Sequence, residues 1–174
     1  MLHFIKKTLT FALTVTISLT LLTGCGKEDE SLKQYKENMT SFCESIIEKN
    51  DTINSIDASS ETAIQDLLEN LDDLNTDFNA LAEMEVPSEF SSVETLADEA
   101  GTYMNQAVSL YHQVFEAEEF DQSTLDVANE NYNRAIKRVQ YIGDILMGQI
   151  PDGEDVTVIH EDDSSEEEAT DTVG

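Results

Sequence analysis

From Ser31 onward, apolar residues return at alternating three- and four-residue steps, the spacing of a helix with one buried face. Four such segments follow one another. The first runs from about Ser31 to Ile56, with Leu32, Tyr35, Met39, Phe42, Ile46, Ile53 and Ile56 on one stripe that Asn50 interrupts. The second begins near Ser59 or Ser60, either of which suits an N-cap, and carries Ile64, Leu67, Leu71, Leu74, Phe78 and Leu81. It must stop before Pro87, which lacks an N–H to donate and favours the first turn of a new helix. The third spans about Ser88 to Ala117 on Val93, Ala97, Ala100, Met104, Ala107, Tyr111 and Val114. Its alanines, with Gly101, make a thin face that a neighbouring helix can approach closely. The fourth runs from Gln122 to about Met147 through Leu125, Ala128, Tyr132, Ala135, Val139, Ile142 and Leu146. Asp121 is its expected N-cap, Phe120 and Leu125 fit a hydrophobic staple, and Gly148 and Pro151 end it.

The breaks at Asp57–Ser59, Glu85–Pro87 and Glu118–Asp121 are short. Short breaks make consecutive helices antiparallel neighbours. The expected fold is therefore all-α, an antiparallel up-down-up-down four-helix bundle over residues 31–150, with helices of about seven turns or ~40 Å. The rival arrangement, long coiled coils in an oligomer, conflicts with the proline and with the capped breaks.

Residues 1–24 follow a different pattern. Lys6 and Lys7 precede an apolar run, Thr8 to Leu22, broken only by threonines and a serine. As a helix that run reaches ~23 Å, short of the ~30 Å hydrocarbon core, so a cleaved export signal fits better than a permanent span. It closes on Leu22-Thr23-Gly24-Cys25, which resembles the lipobox of bacterial lipoproteins. The resemblance implies cleavage before Cys25, a diacylglyceryl thioether on that cysteine, and an extracytoplasmic protein held on the cell membrane by lipid. Residues 25–30 would be the lipidated tether. An ordinary secretory signal cut at Gly24 is the alternative. Further along, the stretch Leu81 to Phe90 (Leu-Ala-Glu-Met-Glu-Val-Pro-Ser-Glu-Phe) enters a helix bearing Tyr103 and Tyr111. It resembles helical surface lipoproteins of Gram-positive bacteria, a likeness that implies no catalytic residue.

Charge narrows the possible partners. The formal net charge is −28, and removing Lys6 and Lys7 with the signal makes it −30. Nucleic-acid binding, which needs clustered Lys and Arg, is excluded on this balance. Anionic headgroups repel such a domain, so it should stand off the membrane. Residues 151–174 form an acidic tail, with ten acids and no Lys or Arg from Asp152 to Gly174; such a segment buries too little apolar surface to offset its ordering entropy.

Candidate chemistry is sparse. His112 precedes Glu116 by one turn, giving two metal-capable side chains on one helix face, too few for a site; a hydrogen-bonded histidine is the expected reading. His160 falls in the tail. With Cys25 committed to lipid, Cys43 has no intramolecular disulfide partner. It reads as a small hydrophobe flanking the core, with an intermolecular disulfide or reactive thiol as the alternative. No catalytic residue, cofactor site or metal site is expected, and no enzyme. Between Asp51 and Asn133 there are twenty acids and no Lys or Arg. The basic residues fall on the first segment (Lys33, Lys36, Lys49), the fourth (Arg134, Lys137, Arg138) and Lys27. One side of the bundle, the second and third helices, is thus expected to be uniformly acidic and the other side mixed. Asp66, Glu69, Asp73 and Asp77 lie along the second helix without the turn and carbonyl ligands of a calcium loop, so cation binding there should be weak and diffuse. The function expected is a lipid-anchored, non-enzymatic interaction module with an envelope protein as partner. The alternative is an extracytoplasmic binding protein for a small ligand or divalent cation. Partner contacts are expected first at the connections Asp57–Ser60 and Glu118–Gln122, at the end away from the tether.

Overall fold

Local chemistry decides where each helix starts and stops. The structure, a computed structural model, describes residues 30–151. It contains helices α1 (Glu30–Ser55), α2 (Ala63–Ala82), α3 (Ser91–Phe115) and α4 (Gln122–Leu146), with a 3₁₀ turn over Ser88–Phe90 leading into α3. The expected export signal, Cys25, most of the expected tether, the acidic residues after Pro151 and His160 lie outside the described residues.

α4 begins where the sequence indicates. One Asp121 oxygen accepts the Ser123 backbone N–H at 2.9 Å and the other accepts the Thr124 hydroxyl at 2.6 Å. Leu125 is buried and Phe120 partly buried against the core, as a staple requires. At the far end Gly148 takes φ 72°, while Gln149 N–H reaches the Asp144 carbonyl at 2.8 Å and Gly148 N–H the Ile145 carbonyl at 2.9 Å. That pair of bonds is a Schellman ending, and its left-handed residue favours glycine.

Two starts differ from expectation. Neither Ser59 nor Ser60 caps α2. Asp57 accepts both the N–H and the hydroxyl of Ser59, and the Ser60 N–H bonds the Asp57 carbonyl at 2.8 Å, so both serines are spent in a turn. The helix begins at Ala63, and the Thr62 hydroxyl donates to the Asp66 side chain at 2.9 Å instead of capping the backbone. α2 is consequently 20 residues long, ~30 Å and not the ~40 Å expected. α3 proper begins at Ser91, three residues after the expected Ser88, because Pro87 at φ −58° opens a 3₁₀ turn closed by the Phe90 N–H on its carbonyl.

The helices alternate in direction. Across α2 and α3, Asp72 meets His112 while Asn79 meets Asn105; across α3 and α4, Glu99 meets Arg138 while Tyr111 meets Asn129. In each seam one partner's number falls as the other's rises, which only an antiparallel pair allows. Phe42 on α1 meets Phe78 on α2 edge-to-face at 5.4 Å, a favourable aromatic geometry. The most extensive backbone packing is between α3 and α4, followed by α2 with α3 and α1 with α2. α1 and α4 do not approach each other comparably.

Every apolar residue assigned above to the core faces of α3 and α4 is buried. Both faces are rich in alanine, and thin faces permit the close approach seen there. Leu32 on α1 and Ile56, just past the helix's last residue, are only partly buried at the ends of the stripe. Asn50, which interrupts that stripe in sequence, is nonetheless buried inside it. A β-carbon added at Gly101 would stand 3.4 Å from Ala82 Cβ and 3.4 Å from the Phe78 carbonyl, so this residue marks where α2 lies close against α3.

Candidate functional site

Polar chemistry among the described residues lies along the seams between helices, and two of them hold the groups best suited to chemistry. The first joins α2 to α3. His112, in the last turn of α3, places Nδ1 2.9 Å from Glu116 Oε1 and Nε2 3.0 Å from Asp72 Oδ1. An ionised carboxylate only accepts, so both ring nitrogens must carry hydrogen to satisfy this arrangement. The hydrogen bond to Glu116 contributes most; burial opposes it, Asp72 adds to it by hydrogen bond and charge, and the balance holds the imidazole pKa above its ordinary value. Further along the seam, Asn105 accepts from Asn75 at 2.9 Å and donates to Asn79 at 2.9 Å and to the Gly101 carbonyl at 3.0 Å.

The expected pair of His112 and Glu116 is therefore present, and it has a third member, Asp72, that sequence reading missed. The two carboxylates sit on opposite ring nitrogens and do not converge on one point. Among the described residues, no group of three or more His, Cys, Asp or Glu is arranged to hold a metal ion.

The second seam joins α3 to α4 and was also not foreseen. The buried Arg138 side chain binds Glu99 through Nε, and its guanidinium lies 5.5 Å from the Tyr103 ring centre and 5.8 Å from that of Tyr141. The Arg134 guanidinium also lies 5.6 Å from the Tyr103 ring centre, and Lys137 Nζ 5.6 Å from that of Tyr141. Cations over aromatic faces gain from the ring quadrupole, most when desolvated. This cluster is structural in form: each member is engaged with another.

The acids of α2 do not act as a set. Asp66 takes the Thr62 hydroxyl, Glu69 the Gln65 amide, and Asp77 both Lys49 Nζ and Ser45 Oγ at 2.6 Å. Lys49 and Arg138 thus cross from the flanking helices onto acids of α2 and α3, and the expected charge division is blunted at both margins. Glu69, Asp73, Glu94 and Asp98 remain exposed on the middle pair.

Cys43 is buried, and burial, with a smaller push from Glu44, raises its thiol to about 11. The core-flanking reading therefore describes its position. The Tyr111 hydroxyl donates to Asn129 at 2.7 Å, and burial raises its pKa strongly. No described helix is long and apolar enough to cross a membrane. No protein-family model, curated protein or solved structure matches this chain.

Proposed function

We propose that the chain is an extracytoplasmic lipoprotein, anchored through lipid on Cys25, whose helical bundle works by docking to a basic surface of an envelope protein. The observation that carries the anchor is the run Leu22-Thr23-Gly24-Cys25 closing a basic, then apolar, N-terminus. Docking, as opposed to catalysis, is supported by the state of the reactive groups. His112 is the one histidine among the described residues, and both its nitrogens are already committed to carboxylates. Cys43 is the one described cysteine, buried and far from its thiolate form near neutral pH. The outward surface includes acids of α2 and α3, where no Lys or Arg stands among them, and the two connections 56–62 and 116–121, which lie at the same end of an antiparallel bundle.

Metabolic labelling with a palmitate analogue tests the anchor. Wild type should take up label and Cys25→Ala should not; equal labelling of both removes the anchor from this reading. For the docking surface, intact cells are treated with a lysine-reactive crosslinker and the adducts of wild type are compared with those of Glu69→Lys/Asp73→Lys. A discrete adduct that is lost on charge reversal supports the reading, whereas an adduct pattern indifferent to the reversal contradicts it.

A further inference from the structure

We propose that His112 is a protonation-dependent clasp that fastens the last turn of α3, where the 116–121 connection begins, to the middle of α2. As an imidazolium it donates one N–H to Asp72 on α2 and one to Glu116 at the close of its own helix, at 3.0 and 2.9 Å. Neutral imidazole has a single N–H. On losing its proton the ring must turn a lone pair toward one of two carboxylates, and one bond becomes a repulsion.

The charges facing the ring are Asp72 from α2 and Glu116 from α3 itself. α4 meets the neighbouring residue of this turn, Tyr111, through the uncharged Asn129. The last carbonyls of α3 add a negative field that also favours the cation. The ring is within reach of solvent, its side chain 30% exposed, so it can exchange protons without the bundle opening. Its position couples it to the loop: the Glu116 N–H closes on the His112 carbonyl at 3.0 Å, and the α3–α4 connection starts there. Deprotonation thus gives up one of the two holds, either the bridge to Asp72 on α2 or the side-chain bond to Glu116, the first residue of the outer connection.

The direction of the pH effect follows from linkage. A group whose folded pKa is raised gives stability that is complete below its unfolded value and is lost as pH climbs through the folded value. Proton NMR of the full chain follows the imidazole resonances, with His112 assigned by the signal missing from His112→Gln. Thermal melts of wild type and His112→Gln are recorded between about pH 5.5 and pH 9. His112 should titrate above the ordinary imidazole value, and Asp72→Asn should shift that titration down. Wild type should melt above His112→Gln at the acid end, and the gap should close at the alkaline end. A titration at or below the ordinary value, no response to Asp72→Asn, or a gap that does not change with pH would each overturn the clasp. The wild-type titration stands even if the variants unfold.

Discussion

Single side chains set the limits of the helices, and their effects are separable. Asp121 holds α4 with both carboxylate oxygens, and these bonds, first to Thr124 and then to Ser123, keep its pKa below the ordinary value. Its contribution is present above the ordinary aspartate range and disappears as pH falls through the lowered value. Asp121→Ala should therefore lower the melting temperature at neutral pH and lose the difference from wild type in strong acid, whereas Asp121→Asn should retain most of the cap. Gly148 is held at φ 72° with open space around it, so Gly148→Ala meets backbone strain and no clash. The left-handed conformation should cost about 1–2 kcal/mol, read as a lower denaturation midpoint with unchanged slope. Both residues were legible in the sequence because capping is decided within a few positions. Asp72 was not legible, because its partner His112 lies 40 positions away and only the helix register brings them together.

At the scale of the element, the apolar stripes foretold which faces are buried, and the turns foretold less. The buried faces of α3 and α4 follow directly from their three- and four-residue spacing. The start of α2 did not, since Ser59 and Ser60 are equally good caps in sequence and Asp57, two residues upstream, competes for their donors. Phe78 is fully buried and meets Phe42 across the α1–α2 seam. Phe78→Ala should cost about 3–5 kcal/mol in an equilibrium urea titration. Gly101 offers a sharper test of the α2–α3 spacing. Alanine fits there at contacts of 3.4 Å and gains helix propensity, so Gly101→Ala should be neutral or stabilising by up to about 1 kcal/mol. Gly101→Leu overfills the same space and should destabilise by about 1–3 kcal/mol. The cation–aromatic cluster around Arg138 escaped the sequence because it unites two helices, and neither Tyr103 nor Arg138 interrupts any pattern on its own strip of chain.

For the whole molecule, the antiparallel order governs what faces where. It brings the 56–62 and 116–121 connections to one end and leaves the start of α1, the Pro87 turn and the close of α4 at the other. Residues 25–30 lead into that second end, so a lipid on Cys25 would present the first end away from the bilayer. Charge at this scale was half legible. The scarcity of Lys and Arg on α2 and α3 was plain in the sequence, while Lys49 and Arg138 reaching across to Asp77 and Glu99 was visible only in the fold. An antiparallel bundle requires the two outer connections to be neighbours, which pulsed electron resonance between paired spin labels measures. Labels at Ser59 and Glu119 should be the nearer pair, since both connections sit at one end of helices whose axes are roughly 10 Å apart, with α2 running somewhat past the close of α3. A pair at Ser59 and Glu89 should be separated by roughly the 30 Å length of α2. A long Ser59–Glu119 distance with a short Ser59–Glu89 one would contradict the antiparallel bundle and the docking surface built on it.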